Sequence, residues 1–134
     1  MGNQKAIAYF RSAKPSEIPV ELQRRRVQAY CKAMSYDLFS EITAEHPCTE
    51  QEAEAICRVI RTEMRVTDPL KLVVLNLHRV NPDIHVVHRV SELFSRYDIT
   101  LESTERADHE ILALTDDEEY DLFQTLAGTG FPAV

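Results

Sequence analysis

Along this chain, short apolar runs alternate with stretches in which apolar residues recur every three or four positions, the mark of strands alternating with helices. Ala6-Ile7-Ala8-Tyr9-Phe10 is almost continuously apolar and predicts a strand covered on both faces. The polar stretch Arg11 to Ser16, which holds Pro15, ends that strand. Helix signals follow, with Ser16 as the expected N-cap and Pro19 in the first turn. Val27, Tyr30, Cys31 and Met34 then fall at i, i+3, i+4 and i+7, opposite Arg24, Arg25 and Gln28. Asp37 to Ile42 reads as a second strand. Thr49 with Glu52 forms a capping-box pattern, and Ala53, Ile56, Cys57, Ile60 and Met64 continue the helical period. Asp68-Pro69 breaks the chain before the strongest strand pattern, Leu70 to Leu77.

The loop His78-Arg79-Val80-Asn81-Pro82 comes next, then a helix from about Asp83 to Tyr97 with Val86, Val90, Leu93, Phe94 and Tyr97 on one face. Ile99-Thr100-Leu101 is expected as a further strand, with Ile111 to Leu114 as a candidate for one more. Asp116 to Leu126 reads as an acidic helix whose apolar face is Leu122, Phe123 and Leu126, with Gly128 as its stop. Strands alternating with helices imply right-handed crossovers. The expected architecture is therefore a three-layer α/β/α domain around a mostly parallel sheet of four or five strands.

At 134 residues, 44% hydrophobic and 28% charged, the chain suits one domain with a real core. The 3 Gly, 6 Pro and absence of Trp exclude a collagen-like, low-complexity or Trp-anchored lectin-like chain. The longest apolar run, Leu72 to Leu77, already contains Asn76, so no membrane span is expected. Met1 to Lys5 leads into the first strand without a cleavage pattern, so no secretory leader is expected either. Cys31, Cys48 and Cys57 are odd in number and lack CxxC spacing, which favours a reducing, cytoplasmic setting over disulfides or a zinc knuckle.

The net charge of −7 is unevenly placed: residues 98–134 carry −9, whereas the first 36 residues carry +5. A domain that grips nucleic acid unaided is normally basic over one face, so DNA is expected to be bound weakly or through a partner. The run Arg24-Arg25-Arg26 reads as a solvated helix face or as a seat for a partner's acidic segment.

In open parallel sheets, functional groups collect in the loops past the carboxyl ends of the strands. Arg11 and Arg79 open two such loops. Two guanidinium groups converging there would hold an anion, with phosphate the natural candidate; the plainer reading is two solvated loop arginines. His85 and His88, at i and i+3, with His78 upstream, lack an acidic or cysteine ligand beside them, so neither a metal nor a cofactor is expected. Cys31 and Cys57 lie on apolar stripes and read as core residues. Cys48, beside Pro47, is expected to be more exposed.

At its two arginine loops the chain resembles the catalytic domain of the serine site-specific recombinases, the resolvase/invertase family. That family's first strand ends in Tyr-x-Arg-x-Ser before a helix; the matching run is Tyr9-Phe10-Arg11-Ser12-Ala13, followed by Val20-Glu21-Leu22-Gln23 and on to Cys31. Its Leu-Asp-Arg-Leu-x-Arg motif is matched by Leu77-His78-Arg79-Val80-Asn81-Pro82, and Tyr97-Asp98-Ile99-Thr100-Leu101 is similar to the strand that follows. The likeness runs in order and spacing over residues 5–103. It implies a single resolvase-like domain in which residues 1–103 match the family core and 104–134 form an acidic segment with a short helix.

The departures fall on chemistry. The resemblance places the family's nucleophilic serine at Ala13, which has no oxygen to attack a phosphodiester. The motif's acidic position is His78, its second arginine position is Pro82, and a further family arginine has no counterpart in Ala44-Glu45-His46-Pro47-Cys48. The family's DNA-spanning helix and DNA-binding domain are not expected in the acidic stretch up to Val134. The expectation is a degenerate relative acting by protein–protein contact, as a homo-oligomer or with a DNA-processing enzyme, through Leu122, Phe123 and Leu126. Two alternatives stay open: a divergent recombinase or nuclease using Ser12 or Ser16 with Arg11 and Arg79, and a phosphate- or nucleotide-binding module at the same loops. By analogy with the family, a mobile-element origin is expected.

Overall fold

The computed structural model of the protein describes residues 3–12 and 18–113. Strands β1 (Lys5–Arg11), β2 (Asp37–Ala44), β3 (Leu70–Val74) and β4 (Ile99–Ser103) form a parallel sheet in the order β2-β1-β3-β4. Helices α1 (Val20–Ala33), α2 (Glu50–Arg58) and α3 (Ile84–Arg96) connect them, and α4 (Arg106–Ala113) follows β4. The sheet grows in opposite directions from β1, so crossovers of one hand put α1 on one face and α2 with α3 on the other. The alternation along β1 records both layers. Ala6, Ala8 and Phe10 pack on Val27 and Cys31 of α1. Ile7 and Tyr9 join Cys57 of α2 and Val90 and Phe94 of α3. The unbroken apolar run of β1 is thus explained by its place at the centre of three layers.

The local signals hold where they are chemical. Thr49 caps α2, its hydroxyl accepting from the Glu52 amide at 3.1 Å. Asp83 caps α3 by accepting from the His85 amide at 2.9 Å. Several boundaries differ from the pattern. The described part of α1 begins at Val20 with Pro19 at its cap, and Ser16 lies outside the described residues. β2 runs on to Ala44, whereas β3 stops at Val74 because Leu77 to Arg79 wind into a 3₁₀ turn. Met34 and Met64 fit their stripes by spacing but sit past the last turn, 48% and 37% exposed. Ile111 lies in α4, so the expected fifth strand is a helix over its described part, and four strands make the sheet among the described residues. The expected helix with Leu122, Phe123 and Leu126 lies outside the described residues.

Three helical segments end on left-handed residues that are not glycine: Ser35, Arg65 and Asp98, at φ of 60°, 55° and 60°. In a chain with 3 Gly, other contacts must hold these reversals. Two of them share one anchor. α2 continues as a π-helical turn, Val59–Glu63, which carries Arg61 inward beneath the starts of β3 and β4. Its guanidinium donates to the carbonyls of Val66 (2.7 Å), Asp68 (2.8 Å), Tyr97 (2.7 and 3.0 Å) and Asp98 (3.1 Å). Hydrogen bonds from a charged donor contribute roughly 1.5–3 kcal/mol each in favourable cases and are not additive. Arg61→Met is expected to lower stability by about 3 kcal/mol in urea unfolding, with little change in the denaturant slope.

Candidate functional site

The order β2-β1-β3-β4 has its switch point between β1 and β3, where successive connections leave in opposite directions and open a crevice at the strands' carboxyl ends. Arg11 is the last residue of β1, and Arg79 ends the 3₁₀ turn that follows β3. Both therefore stand at or just past the carboxyl ends of neighbouring strands. Each is only 6% exposed, so the reading of two solvated loop arginines does not hold.

The end of β1 is fixed by a residue on α1. Gln23 is fully buried, and its amide accepts from the Arg11 amide at 3.1 Å while donating to the Arg11 carbonyl and the Ile18 carbonyl, each at 2.8 Å. Its spacing is the signal that sequence reading passed over. Gln23 stands four and eight residues before Val27 and Cys31, on the buried stripe itself, where a polar side chain must find partners. Beyond the clamp the chain turns to the edge strand. The Ser12 amide donates to the Ala44 carbonyl at 2.8 Å, and the Ser12 hydroxyl reaches the same oxygen at 3.4 Å. Ala13 and Ser16 lie outside the described residues.

The alternation of β1 puts Arg11 on the face of Tyr9, toward α2 and α3. Tyr9 is 1% exposed, and among the described residues its hydroxyl has no hydrogen bond of normal length. Burial first, then the neighbouring Cys48 thiol and Glu52, pushes its pKa up, while the Arg11 guanidinium pulls it down. Cys48 is completely buried, against the expectation of exposure. Burial and then Glu52 push its thiol up to about 11, so it is a core residue rather than a nucleophile. The reason is backbone pairing: the Cys48 amide donates to the Val80 carbonyl at 2.7 Å, and Asn81 returns a bond to the Cys48 carbonyl at 3.0 Å.

Those bonds also hold the Arg79 turn from one side. On the other, Asn76 caps it, accepting from the Arg79 amide at 3.2 Å. Asp108 of α4 accepts from the Leu77 amide at 3.0 Å and the Ser103 hydroxyl at 2.7 Å. Asp108 was hidden to sequence reading because its segment was assigned no helix. His78 is exposed and Pro82 lies in the following loop, so neither adds a carboxylate or a cation to the crevice. Among the described residues no three potential ligands gather to hold a metal ion. Chemically, the strand ends carry two covered arginines, Arg11 and Arg79, with a buried phenol near Arg11. Gln23→Leu leaves the Arg11 amide and two carbonyls unpaired in the interior. It is expected to cost about 2–4 kcal/mol in thermal or urea unfolding and to expose the Arg11 amide to solvent exchange.

No protein-family model matches the sequence, and no curated protein sequence matches it. Solved structures do. The C-terminal catalytic domain of ISC1926 TnpA, an IS607-like serine recombinase, aligns at TM-score 0.58 and 15% identity over 96% of this chain and 87% of that one. The N-terminal catalytic domain of TP901-1 integrase aligns at TM-score 0.62 and 15% identity over 96% and 100%. A resolvase family site-specific recombinase from Streptococcus pneumoniae aligns at TM-score 0.60 and 15% identity over 96% and 95%. The likeness in chain order seen at the two arginine motifs is therefore a likeness of fold: this chain shares the fold of these serine recombinase catalytic domains.

Proposed function

We propose that this domain does not transfer DNA strands and acts by binding protein, either a second copy of itself or a DNA-processing enzyme. The observation that carries the reading is Ser12. Its amide donates to the Ala44 carbonyl on the edge strand at 2.8 Å, its hydroxyl lies 3.4 Å from the same oxygen, and the next residue, Ala13, has no side-chain oxygen. Phosphoryl transfer needs an aligned nucleophile and several positive donors aimed at the developing charge. Here His78 and Pro82 stand where the recombinase motif carries an acid and an arginine. The charge of −9 over residues 98–134 supports weak or partner-mediated contact with DNA. Leu122, Phe123 and Leu126 are the apolar side chains we assign to the interface.

The rival is a divergent recombinase or nuclease that uses Ser12 or Ser16, with Arg11 and Arg79 holding the phosphate. A nicking assay on supercoiled DNA separates the two. The expected result is no nicked circle above background for the full chain. Nicking that disappears with Ser12→Ala or Ser16→Ala, and with Arg11→Ala, would overturn the proposal.

The depth of the two arginines at the switch point favours a second, compatible role as a small-anion site without chemistry, for phosphate or a nucleotide phosphate group. Saturating sulfate is expected to raise the melting temperature by a few degrees, about 2–4 °C, and Arg79→Gln to remove that rise. A sulfate response unchanged in Arg79→Gln would count against the site.

A further inference from the structure

β2 is an edge strand: among the described residues it pairs with β1 alone. One extra residue, Phe39, bulges where the register slips between Ala6 and Ile7, so the regular run of the edge is Ser40–Ala44. The Ser12 amide takes the Ala44 carbonyl, which turns the backbone of Ala44, and by alternation that of Ile42, toward β1. The N–H and C=O groups of Glu41 and Thr43 therefore point out of the sheet, as a template for a further strand.

An apolar groove runs beside this edge. Ile42 of β2 forms one wall and Ala55 and Ile56 of α2 the other, and the π-helical turn adds Val59 and Met64. Val59 and Met64 are two of the five large apolar side chains exposed among the described residues. A free strand edge with an apolar groove alongside is the arrangement used in strand addition. Backbone bonds hold the added segment, and its alternate side chains fill the groove.

The surrounding charge selects the occupant. Residues 33–57 hold Asp37, Glu41, Glu45, Glu50, Glu52 and Glu54 and no Lys or Arg. Cations from outside this stretch reach three of them: Arg24 meets Glu41 at 2.9 Å, Arg89 meets Glu50 at 2.5 Å and Arg58 meets Glu54 at 3.2 Å. Asp37 at the start of β2 and Glu45 just past its end are exposed. Such a rim repels a nucleic-acid backbone. It repels β2 of a second copy, which brings the same carboxylates, and also the chain's own acidic stretch after Arg106, which holds no Lys or Arg.

We propose that the β2 edge and its groove bind an extended segment of another protein, about five residues long, in which apolar side chains alternate with Lys or Arg. The segment pairs with the backbone of Glu41 and Thr43. Its apolar side chains enter the groove between Ile42, Ile56, Val59 and Met64, and its cations lie on the opposite face, between Asp37 and Glu45. This surface is separate from Leu122, Phe123 and Leu126, so the inference goes beyond the contact proposed above and stands or falls without it.

The probe is a fluorescein-labelled heptapeptide of alternating lysine and valine, titrated with the full chain by fluorescence anisotropy. Hydrogen exchange at the Glu41 and Thr43 amides is followed by NMR. The expected result is saturable binding that weakens with added salt, with both amides protected only when peptide is present. Methylating every backbone nitrogen of the peptide, or making Val59→Ser with Met64→Ser in the protein, is expected to weaken binding about tenfold or more. Circular dichroism checks that the variant is folded. A peptide of alternating glutamate and valine is expected not to bind. Equal binding of the methylated peptide means adsorption by charge alone and overturns the proposal; undiminished binding to the double variant does the same for the groove. Amides already protected in the free chain mean that the edge is covered by the chain itself, or by a second copy if protection grows with protein concentration. Either result overturns the proposal, as does the absence of saturable binding up to about 1 mM protein.

Discussion

The end of the central strand is held by a single buried amide. Gln23 closes around the Arg11 backbone from a helix on one face of the sheet, and a third bond takes the Ile18 carbonyl at the entry to that helix. A strand buried on both faces cannot leave its last backbone groups to water, and β1 has no ladder partner beyond this point on the β3 side. A leucine there would add apolar contact but abandon three polar atoms, which costs more than it contributes. With the strand end fixed, the rest of the site follows by geometry. Arg11 falls on the Tyr9 face of the sheet, and the chain leaves toward β2, where Ser12 is captured by Ala44.

Much of this was written in the apolar pattern, and the failures have physical causes. β1, α1, α2 and α3 were legible because their burial repeats at the period of the element, and Thr49 declares its cap chemically. The end of β3 was not legible, because Leu75 and Leu77 are as buried in a turn as they would be in a strand. Cys48 looked like a loop residue and is one, yet its backbone pairs with the Arg79 turn and draws it into the core. Of the site, the positions of Arg11 and Arg79 could be read from where strands end. Their burial could not, since it depends on which loops close over them. Gln23 announced itself only as a polar residue in the wrong stripe.

The fold and the chemistry separate in this chain. A resolvase-like sheet with its switch point between β1 and β3 needs the β1 clamp, the Arg61 anchor beneath β3 and β4, and the Asn76 and Asp108 bonds around the second arginine. All of these are structural requirements and all are met. Where the recombinase motifs that the sequence resembles carry a serine, an acid and an arginine, this chain has Ala13, His78 and Pro82, on which the proposed loss of chemistry rests. Fold constrains where a site forms without dictating what it does.

The most direct test of the central claim is the mass of the intact protein after incubation with a supercoiled DNA library carrying random inserts, quenched in denaturant and digested with nuclease. A phosphoserine linkage would leave a nucleotide on the chain. The account expects the unmodified mass under every condition. A nucleotide adduct that maps to Ser12 or Ser16 would contradict it.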